Sequence, residues 1–192
     1  MTAVTLIGSG NMGQAIASVV SKGGNEVELL SHADSDTTHP SGDIVVLAVY
    51  YPALQDVLQR HGAALAGKIV VDITNPLNPQ TFDSLAVAPD SSAAAEIAAA
   101  LPDSRVLKAF NTNFASTLAS GTVGSLPTTV LIAGDDAEAK SALAEVVTAG
   151  GLNVIDAGSL SRARELEAIG FLAITLAAAE KIGWTGGFAV VS

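Results

Sequence analysis

Apolar residues along this 192-residue chain are grouped in short continuous blocks, which alternate with helical patterns and polar loops. Blocks that are apolar almost throughout are typical of strands buried on both faces of a parallel sheet. They lie at residues 3–7, 26–30, 43–49, 68–74, 105–110, 128–133 and 152–156. Apolar spacing, capping residues and a helix-starting proline predict helices at 11–22, 52–62, 91–101, 115–119, 135–149 and 162–182. This alternation predicts an α/β fold with a doubly wound parallel sheet.

We expect one domain over residues 1–192, with a core at 1–158 and a C-terminal helix and tail at 159–192. Hydroxyl and carboxylate side chains stand where helices are predicted to begin, and they are typical N-caps. The predicted caps are Ser91-Ser92, Asp135 and Ser161. The polar stretch 31–42 predicts a loop in place of a crossover helix.

A glycine-rich turn, Gly8-Ser9-Gly10-Asn11-Met12-Gly13, joins the first predicted strand to the first predicted helix. Its spacing is G-x-G-x-x-G, and this strand–turn–helix context binds the pyrophosphate of a dinucleotide. Gly8 permits the tight turn, Gly10 lets a pyrophosphate approach the backbone, and Gly13 lets the helix pack close to the strand. Gln14-Ala15 follows, so the lysine and hydroxyl of a P-loop are absent. The sequence predicts a dinucleotide-binding Rossmann fold; the alternative is a turn that only packs a helix on a strand.

Ligands of doubly wound sheets bind beyond the carboxyl ends of the strands, and this rule selects the candidate cofactor-binding residues. They are Gly8, Ser9, Gly10, Asn11, Met12, Gly13, Ser31, His32, Ala48, Val49, Tyr50, Thr74, Asn75, Pro76 and Asn111. An NAD-preferring site carries Asp or Glu where this chain has Ser31-His32. A hydroxyl and an imidazole can donate to a 2′-phosphate, so we predict NADP(H) over NAD(H). The alternative is an ordinary polar loop.

The asparagines Asn75 and Asn111 offer both donors and acceptors. They suit the ribose hydroxyls or the carboxamide of a nicotinamide, or else they are turn residues that satisfy their own backbone. Lys108, at the end of the strand before Asn111, is interpreted as structural.

Composition excludes several other classes of function. The chain carries 9 basic and 19 acidic residues, a net charge of −10, which does not favour a nucleic-acid partner. It has no cysteine and no charged leader, and its longest apolar run, 169–179, is too short to span a membrane. We therefore expect a soluble cytoplasmic protein without a membrane partner. His32, His39 and His61 lack ligand spacing, so no metal site is predicted.

The remaining catalytic patterns are also missing. The chain has no G-x-S-x-G motif, and the segments at the strand ends show no paired carboxylates. No residue is therefore assigned as a catalytic acid, base or nucleophile.

The last predicted helix opens with two i, i+3 charge pairs, Arg162 with Glu165 and Arg164 with Glu167. We interpret them as a solvated or interface face. Beyond them the helix is apolar on nearly every side, and one face of a sheet cannot cover all of it. This pattern predicts a homodimer formed through the helix.

Taken together, these motifs resemble those of the NADP oxidoreductase, coenzyme F-420-dependent family, and of the related reductase domain of the six-transmembrane ferric reductases. The resemblance covers most of the chain in the right order. The matching segments are Gly8 to Gly13, Ser31-His32, Thr74-Asn75-Pro76, Lys108-Ala109-Phe110-Asn111-Thr112, Asp156-Ala157-Gly158-Ser159-Leu160 and Ala163-Arg164-Glu165-Leu166-Glu167.

The resemblance implies that NADPH lies across the strand ends and that hydride passes directly between the nicotinamide and a flavin-like ring stacked on it. Catalysis is then mostly positioning, with no protein acid or base. The glycine turn would hold the pyrophosphate, and Ser31 with His32 would meet the 2′-phosphate. The residues implied to surround the nicotinamide and its acceptor are Tyr50, Tyr51, Asn75, Pro76 and Asn111.

The sequence leaves the acceptor open: coenzyme F-420, a free flavin, a quinone or another small molecule. One alternative function is a reductase of small C=N or carbonyl substrates, which share the glycine motif. The other is a non-catalytic module that senses NADP(H).

Overall fold

The computed structural model describes residues 1–31 and 38–191. The strands are β1 Ala3–Ile7, β2 Glu26–Leu30, β3 Ile44–Leu47, β4 Ile69–Asp72, β5 Arg105–Lys108, β6 Thr122–Val123, β7 Leu126–Pro127, β8 Thr129–Gly134 and β9 Asn153–Gly158. The α-helices are α1 Asn11–Lys22, α2 Leu54–His61, α3 Ala93–Ala100, α4 Ala115–Ser120, α5 Ala137–Ala149 and α6 Ala163–Ala178. Short 3-10 turns lie at Tyr51–Ala53, Gly62–Leu65 and Leu160–Arg162.

Seven of these strands form one sheet in the order β2-β1-β3-β4-β5-β8-β9. The first five are parallel, and their order reverses direction at β1, as in a Rossmann fold. The predicted doubly wound α/β fold is therefore confirmed.

The sheet is not parallel throughout, and this corrects the sequence prediction. β8 runs antiparallel to β5, with Leu107 opposite Gly134 and Lys108 opposite Ala133, while β9 is parallel to β8. Between these two strands the chain forms the six-residue α4 and the short hairpin of β6 and β7. No long crossover helix returns it to the start of β5, and β8 begins at the end of the sheet where β5 finishes.

Both faces of the sheet are covered by helices, which explains why the strands are apolar at successive positions. On one face, Leu6 and Val46 belong to a core that includes Ile16 of α1 and Leu143 of α5. On the other face the core is built from residues of β1, β3, β4, β5, α2 and α3, among them Ile7, Leu47, Val70, Leu54 and Ile97. The strand ends are thus held between two packed layers.

Helix starts agree with the predictions only in part. Ser92 caps α3, since its hydroxyl accepts the N–H of Ala95 at 3.1 Å. The cap of α5 is Asp136 and not Asp135, because Asp136 accepts the N–H of Ala139 at 2.7 Å. Asp135 instead accepts the N–H of Leu160 at 2.9 Å and so ties this loop to the turn before α6.

The C-terminal helix is shorter than predicted. α6 begins at Ala163 after a 3-10 turn, so Ser161 does not cap it, and its hydroxyl lies 2.8 Å from that of Ser159. The helix ends at Ala178, and the tail bends back onto α4, where the ring of Trp184 lies 5.1 Å from that of Phe114. Among the residues that the structure describes, no helix combines the length and apolarity that a membrane crossing requires.

Candidate functional site at the carboxyl ends of the strands

The glycine turn is fixed between the ends of β2 and β3. Gly8 donates its N–H to the carbonyl of Leu30 at 2.9 Å, and Ala48 donates to the carbonyl of Ile7 at 2.8 Å. Gly8 has a φ of +119°, a conformation that L side chains rarely adopt, and a Cβ there would collide with the carbonyl of Ala48. Only glycine fits this position.

The other two glycines have opposite environments. A Cβ on Gly13 would meet the carbonyl oxygen of Gly8, so α1 packs directly on the turn. A Cβ on Gly10 would meet no atom of the described residues within 4 Å. Gly10 is the N-cap of α1, and no described side chain is recorded as capping that helix. Within the described residues, the start of α1 is therefore open, and an open helix start is an arrangement that binds a phosphate.

Ser31, Ala48 and Val49 lie beside the turn at the ends of β2 and β3, and all three are half-buried. Ser9, Gly10 and Asn11 are exposed. His32, the second predicted contact of the 2′-phosphate, lies outside the described residues. The structure therefore gathers most of the predicted cofactor residues at one edge of the sheet.

The two tyrosines after β3 differ in their surroundings. Tyr50 is 89% exposed. Tyr51 is half-buried, and its hydroxyl donates to Oε2 of Glu96 at 2.8 Å. Burial raises the pKa of Tyr51 to about 12, and the carboxylates of Glu96, Glu167 and Asp72 act in the same direction. The phenol thus stays protonated at neutral pH.

Asn75 and Asn111 bind each other. The Nδ2 group of Asn75 donates to the carbonyl of Asn111, and Nδ2 of Asn111 donates to Oδ1 of Asn75, both at 2.9 Å. Asn111 gives its second amide hydrogen to the carbonyl of Leu166 in α6 at 2.8 Å. The side chain of Asn111 therefore joins the strand ends to α6, and of the two amide groups only that of Asn75 keeps a free hydrogen.

The asparagine pair packs against α6 at Gly170, where the helix has no side chain. A Cβ on Gly170 would collide with Oδ1 of Asn75 and approach the carbonyl of Asn111 to 2.8 Å. On the strand side, the buried residue Phe110 precedes Asn111 and has a φ of +62°, which is unusual for a residue other than glycine. Such a conformation costs on the order of 1 kcal/mol or more in a residue other than glycine. Local strain and a missing side chain together set the position of Asn111.

A buried cluster of charges lies next to the asparagine pair. Nζ of Lys108 donates to Oδ2 of Asp72 at 2.7 Å, to the carbonyl of Thr74 at 2.6 Å and to Oε1 of Glu167 at 2.8 Å. All three charged side chains have no solvent exposure. The interpretation of Lys108 as structural agrees with these contacts, because every hydrogen of its ammonium group has a partner.

The position of Glu167 corrects two sequence predictions. Glu167 does not pair with Arg164 on a solvated face; its carboxylate accepts the N–H groups of Ala93 at 3.0 Å and Ala94 at 3.4 Å. The strand ends do contain a carboxylate pair, Asp72 with Glu167, on either side of Lys108. Burial raises the pKa of Glu167, against the opposing effect of the Lys108 ammonium.

A signal for Glu167 was present in the sequence. It lies four residues after Ala163 and three before Gly170, and both of these are on the buried face of α6. The periodicity of small residues on that face thus placed Glu167 inside. Its spacing from Arg164 indicated a surface pair instead, and that interpretation was wrong.

Several polar atoms at this edge have unused bonding capacity. Oγ1 of Thr74 and Oδ1 of Asn111 are buried and have no hydrogen-bond partner among the described residues. Pro76, the third residue of the Thr74-Asn75-Pro76 segment, is also buried. Within residues 1–31 and 38–191, no three His, Asp or Glu side chains lie close enough together to hold a metal ion. The open helix start and the glycine turn fit an extended polar ligand such as a dinucleotide.

Comparison with known proteins adds an independent observation, although no protein-family model matches the chain. The F420-dependent NADP reductase of Methanocaldococcus jannaschii is 29% identical over 172 residues, covering 88% of this chain and 76% of that protein.

This chain resembles the F420-dependent NADP reductases. The resemblance predicted from the sequence is therefore confirmed, and it extends to a second reductase. Metalloreductase STEAP3 of Rattus norvegicus is 36% identical over 132 residues, which is 67% of this chain, and the chain spans a quarter of that protein's length. Both relatives are named as reductases, in agreement with the predicted class of NADP-dependent oxidoreductase.

The fold of the F420-dependent NADP reductases is also found in a solved structure. A protein from Arthrobacter sp. FB24, provisionally named an F420-dependent NADP reductase, superimposes with a TM-score of 0.85 at 24% identity over 100% of both chains. This match supports the fold, whereas function has to be argued from the site itself.

Proposed function

We propose that this chain is an NADP(H)-dependent oxidoreductase that transfers hydride directly between the nicotinamide and a flavin- or deazaflavin-like acceptor. The bound nucleotide supplies the hydride, and the protein supplies position and the exclusion of water. The glycine turn and the start of α1 hold the pyrophosphate, while the edge around Tyr51, Asn75 and Pro76 holds the nicotinamide and its acceptor.

The observation that carries this proposal is the space at Gly10. Among residues 1–31 and 38–191, no side chain is recorded as capping the first turn of α1, and no atom lies within 4 Å of a Cβ built on Gly10. A pyrophosphate needs this combination of free donors and close backbone approach. The names of the relatives, an NADP reductase and a metalloreductase, support the same function.

The preference for NADP(H) over NAD(H) rests on Ser31-His32. The sequence has no carboxylate at these two positions, so a 2′-phosphate would not be repelled there. We expect His32→Asp to lower NADPH affinity far more than NADH affinity, as measured by nicotinamide fluorescence. Equal losses for both nucleotides would contradict this assignment.

We further propose that the protein is a homodimer through α6. Ile169 and Leu172 on this helix are 37% and 49% exposed, and the tail adds the exposed side chains of Trp184 and Phe188. Exposed large apolar side chains favour association with a second copy of the chain. Light scattering at micromolar concentration should give twice the mass of one chain, and Leu172→Glu should give the monomer mass. A monomeric wild-type protein would disprove the dimer.

The decisive test of nucleotide binding is Gly10→Ala. The methyl group meets nothing in the unliganded protein, so the variant should keep its melting temperature while NADPH affinity falls by about tenfold or more as the methyl occupies the phosphate space. The matched control is Gly62→Ala, whose Cβ makes ordinary contact with Leu101 away from the glycine turn. Unchanged NADPH affinity in Gly10→Ala would overturn the proposed site.

Turnover is tested with the same protein. NADPH is mixed with coenzyme F-420, riboflavin or a quinone, and its absorbance band is followed. Loss of the band with one acceptor supports the proposed reaction. Tight NADPH binding without turnover of any acceptor would favour a sensing module instead.

A further inference from the structure

Tyr51 and Glu96 form a hydrogen-bonded pair that links the 3-10 turn before α2 to the first turn of α3. Tyr51 comes four residues after Leu47, the last residue of β3, and opens the turn that leads into α2. Glu96 lies in the first turn of α3. The start of α3 is fixed in turn by Glu167, which accepts the N–H groups of Ala93 and Ala94. The buried charges at the strand ends therefore hold Glu96, and Glu96 holds Tyr51.

The direction of this hydrogen bond is determined by chemistry. A carboxylate can only accept, so the hydroxyl of Tyr51 donates its single hydrogen to Oε2 of Glu96 across 2.8 Å. The raised pKa of Tyr51, about 12, keeps that hydrogen in place at neutral pH. The phenolic oxygen can therefore only accept a hydrogen bond from any further group.

The pair stands in a cleft of about 560 Å³ between α2 and α3, a volume within the range of small-molecule sites. Leu54, Leu58 and Ile97 supply its apolar lining, and Gln55 adds an uncharged polar group. Among the described residues that line the cleft, Glu96 alone carries a charge, and that charge is negative. A neutral ring with a hydrogen-bond donor fits this lining, whereas an anionic group does not.

We propose that Tyr51 is a specificity residue for the hydride acceptor: its oxygen, aimed by Glu96, accepts a hydrogen bond from an N–H on the edge of the acceptor ring. The inference rests on the proposed function. A flavin-type ring carries such a donor as the imide N–H between its two carbonyl groups. The cleft takes this neutral edge of the ring, and a phosphate or carboxylate tail of the acceptor points away from it.

The test compares riboflavin, which carries the imide N–H, with 3-methylriboflavin, in which a methyl group replaces that hydrogen. Binding of each is measured by quenching of flavin fluorescence on protein saturated with NADP⁺, so that no turnover occurs. We expect the wild-type protein to prefer riboflavin by about three- to tenfold, the contribution of one hydrogen bond. In Tyr51→Phe this preference should disappear, because the accepting oxygen is gone.

Variants at Glu96 test whether the hydrogen bond from Tyr51 orients the phenolic oxygen, or whether Glu96 only packs beside the ring. Glu96 is exposed, so neither replacement should affect folding. Glu96→Leu leaves the hydroxyl of Tyr51 free to rotate and should reduce the preference for riboflavin. Glu96→Gln keeps an oxygen that accepts from Tyr51, and it should retain the preference.

Three results would overturn the inference: equal binding of the two flavins, a preference that survives in Tyr51→Phe, or failure of riboflavin to bind at all. NADPH affinity is measured separately for every variant, so that a loss of nucleotide binding is distinguished from a loss of the preference for riboflavin. If NADPH binds and riboflavin does not, this inference alone fails. If the wild-type protein does not bind NADPH, the proposed function fails with it.

Discussion

Helices α1 and α3 both begin at the carboxyl edge of the sheet, after β1 and β4 respectively, but their first turns are treated in opposite ways. At α1 the cap is Gly10, and no side chain accepts from the first turn. At α3 the hydroxyl of Ser92 accepts the N–H of Ala95, and the carboxylate of Glu167 accepts the N–H groups of Ala93 and Ala94.

The difference shows which helix start is available to a ligand. Both starts present N–H groups and the positive end of a helix dipole, and both favour a negative charge. At α3 the chain supplies that charge itself through Glu167 of a distant helix. At α1 none of the described residues supplies that charge, and a glycine leaves space for the charge of a ligand.

The largest effect on stability is expected from Lys108, which holds the carboxylate of Glu167 at the start of α3. Lys108→Met leaves Asp72 and Glu167 buried next to each other without a counter-charge, and we expect it to lower the free energy of unfolding by about 3–5 kcal/mol. Urea unfolding measures this loss. The control is Lys140→Met, which removes an equally short ion pair to the exposed Asp156 and should cost less than about 1 kcal/mol. Similar losses in the two variants would mean that the buried cluster does not anchor α6.

An aspartate at residue 10 would place a carboxylate at the open start of α1. Gly10 has extended backbone angles, φ −71° and ψ −176°, which suit a capping aspartate, and its surroundings are empty. Gly10→Asp should raise the free energy of unfolding by a few tenths to about 1 kcal/mol. It should also weaken NADPH binding at least about a hundredfold, because like charges placed together cost several kcal/mol.

Thermal unfolding and a nucleotide titration of the same sample of Gly10→Asp give both quantities. A gain in stability together with a loss of NADPH affinity supports the comparison of the two helix starts. A variant that is stabilised and still binds NADPH as tightly as the wild type would show that the phosphate lies elsewhere.

A smaller effect is expected from the serine cap. Ser92→Ala removes one of the three acceptors at the start of α3 and should cost about 1 kcal/mol of unfolding free energy. Ser18→Ala, at an exposed position within α1, should change stability by no more than about 0.5 kcal/mol. If Ser92→Ala behaves like this control, Glu167 alone satisfies the start of α3.

The sequence predicted the elements that depend on local signals. The glycine turn, the five parallel strands and the cap at Ser92 follow from residues close together in the chain. The antiparallel direction of β8 could not be predicted in this way, since it depends on the path of residues 109–128 between β5 and β8 and not on a local pattern.

The buried charges were missed for a related reason. Lys108 and Glu167 are 59 residues apart. From the sequence, Lys108 is interpreted as structural without an identified partner, and Glu167 is assigned to a surface pair with Arg164. Only the packing of α6 on the strand ends brings them together. The pairing of Asn75 with Asn111 across 36 residues was likewise out of reach, although both residues had been selected as strand-end candidates.

The missing side chain at Gly170 has a consequence for related sequences. Because Oδ1 of Asn75 occupies the space that a methyl group on residue 170 would need, the two positions cannot vary independently. In relatives that keep this helix position, any residue larger than glycine at 170 should be accompanied by a smaller side chain at 75. An aligned set of such chains would display this covariation, and frequent pairing of asparagine at 75 with alanine at 170 would show that the helix can shift to accommodate both.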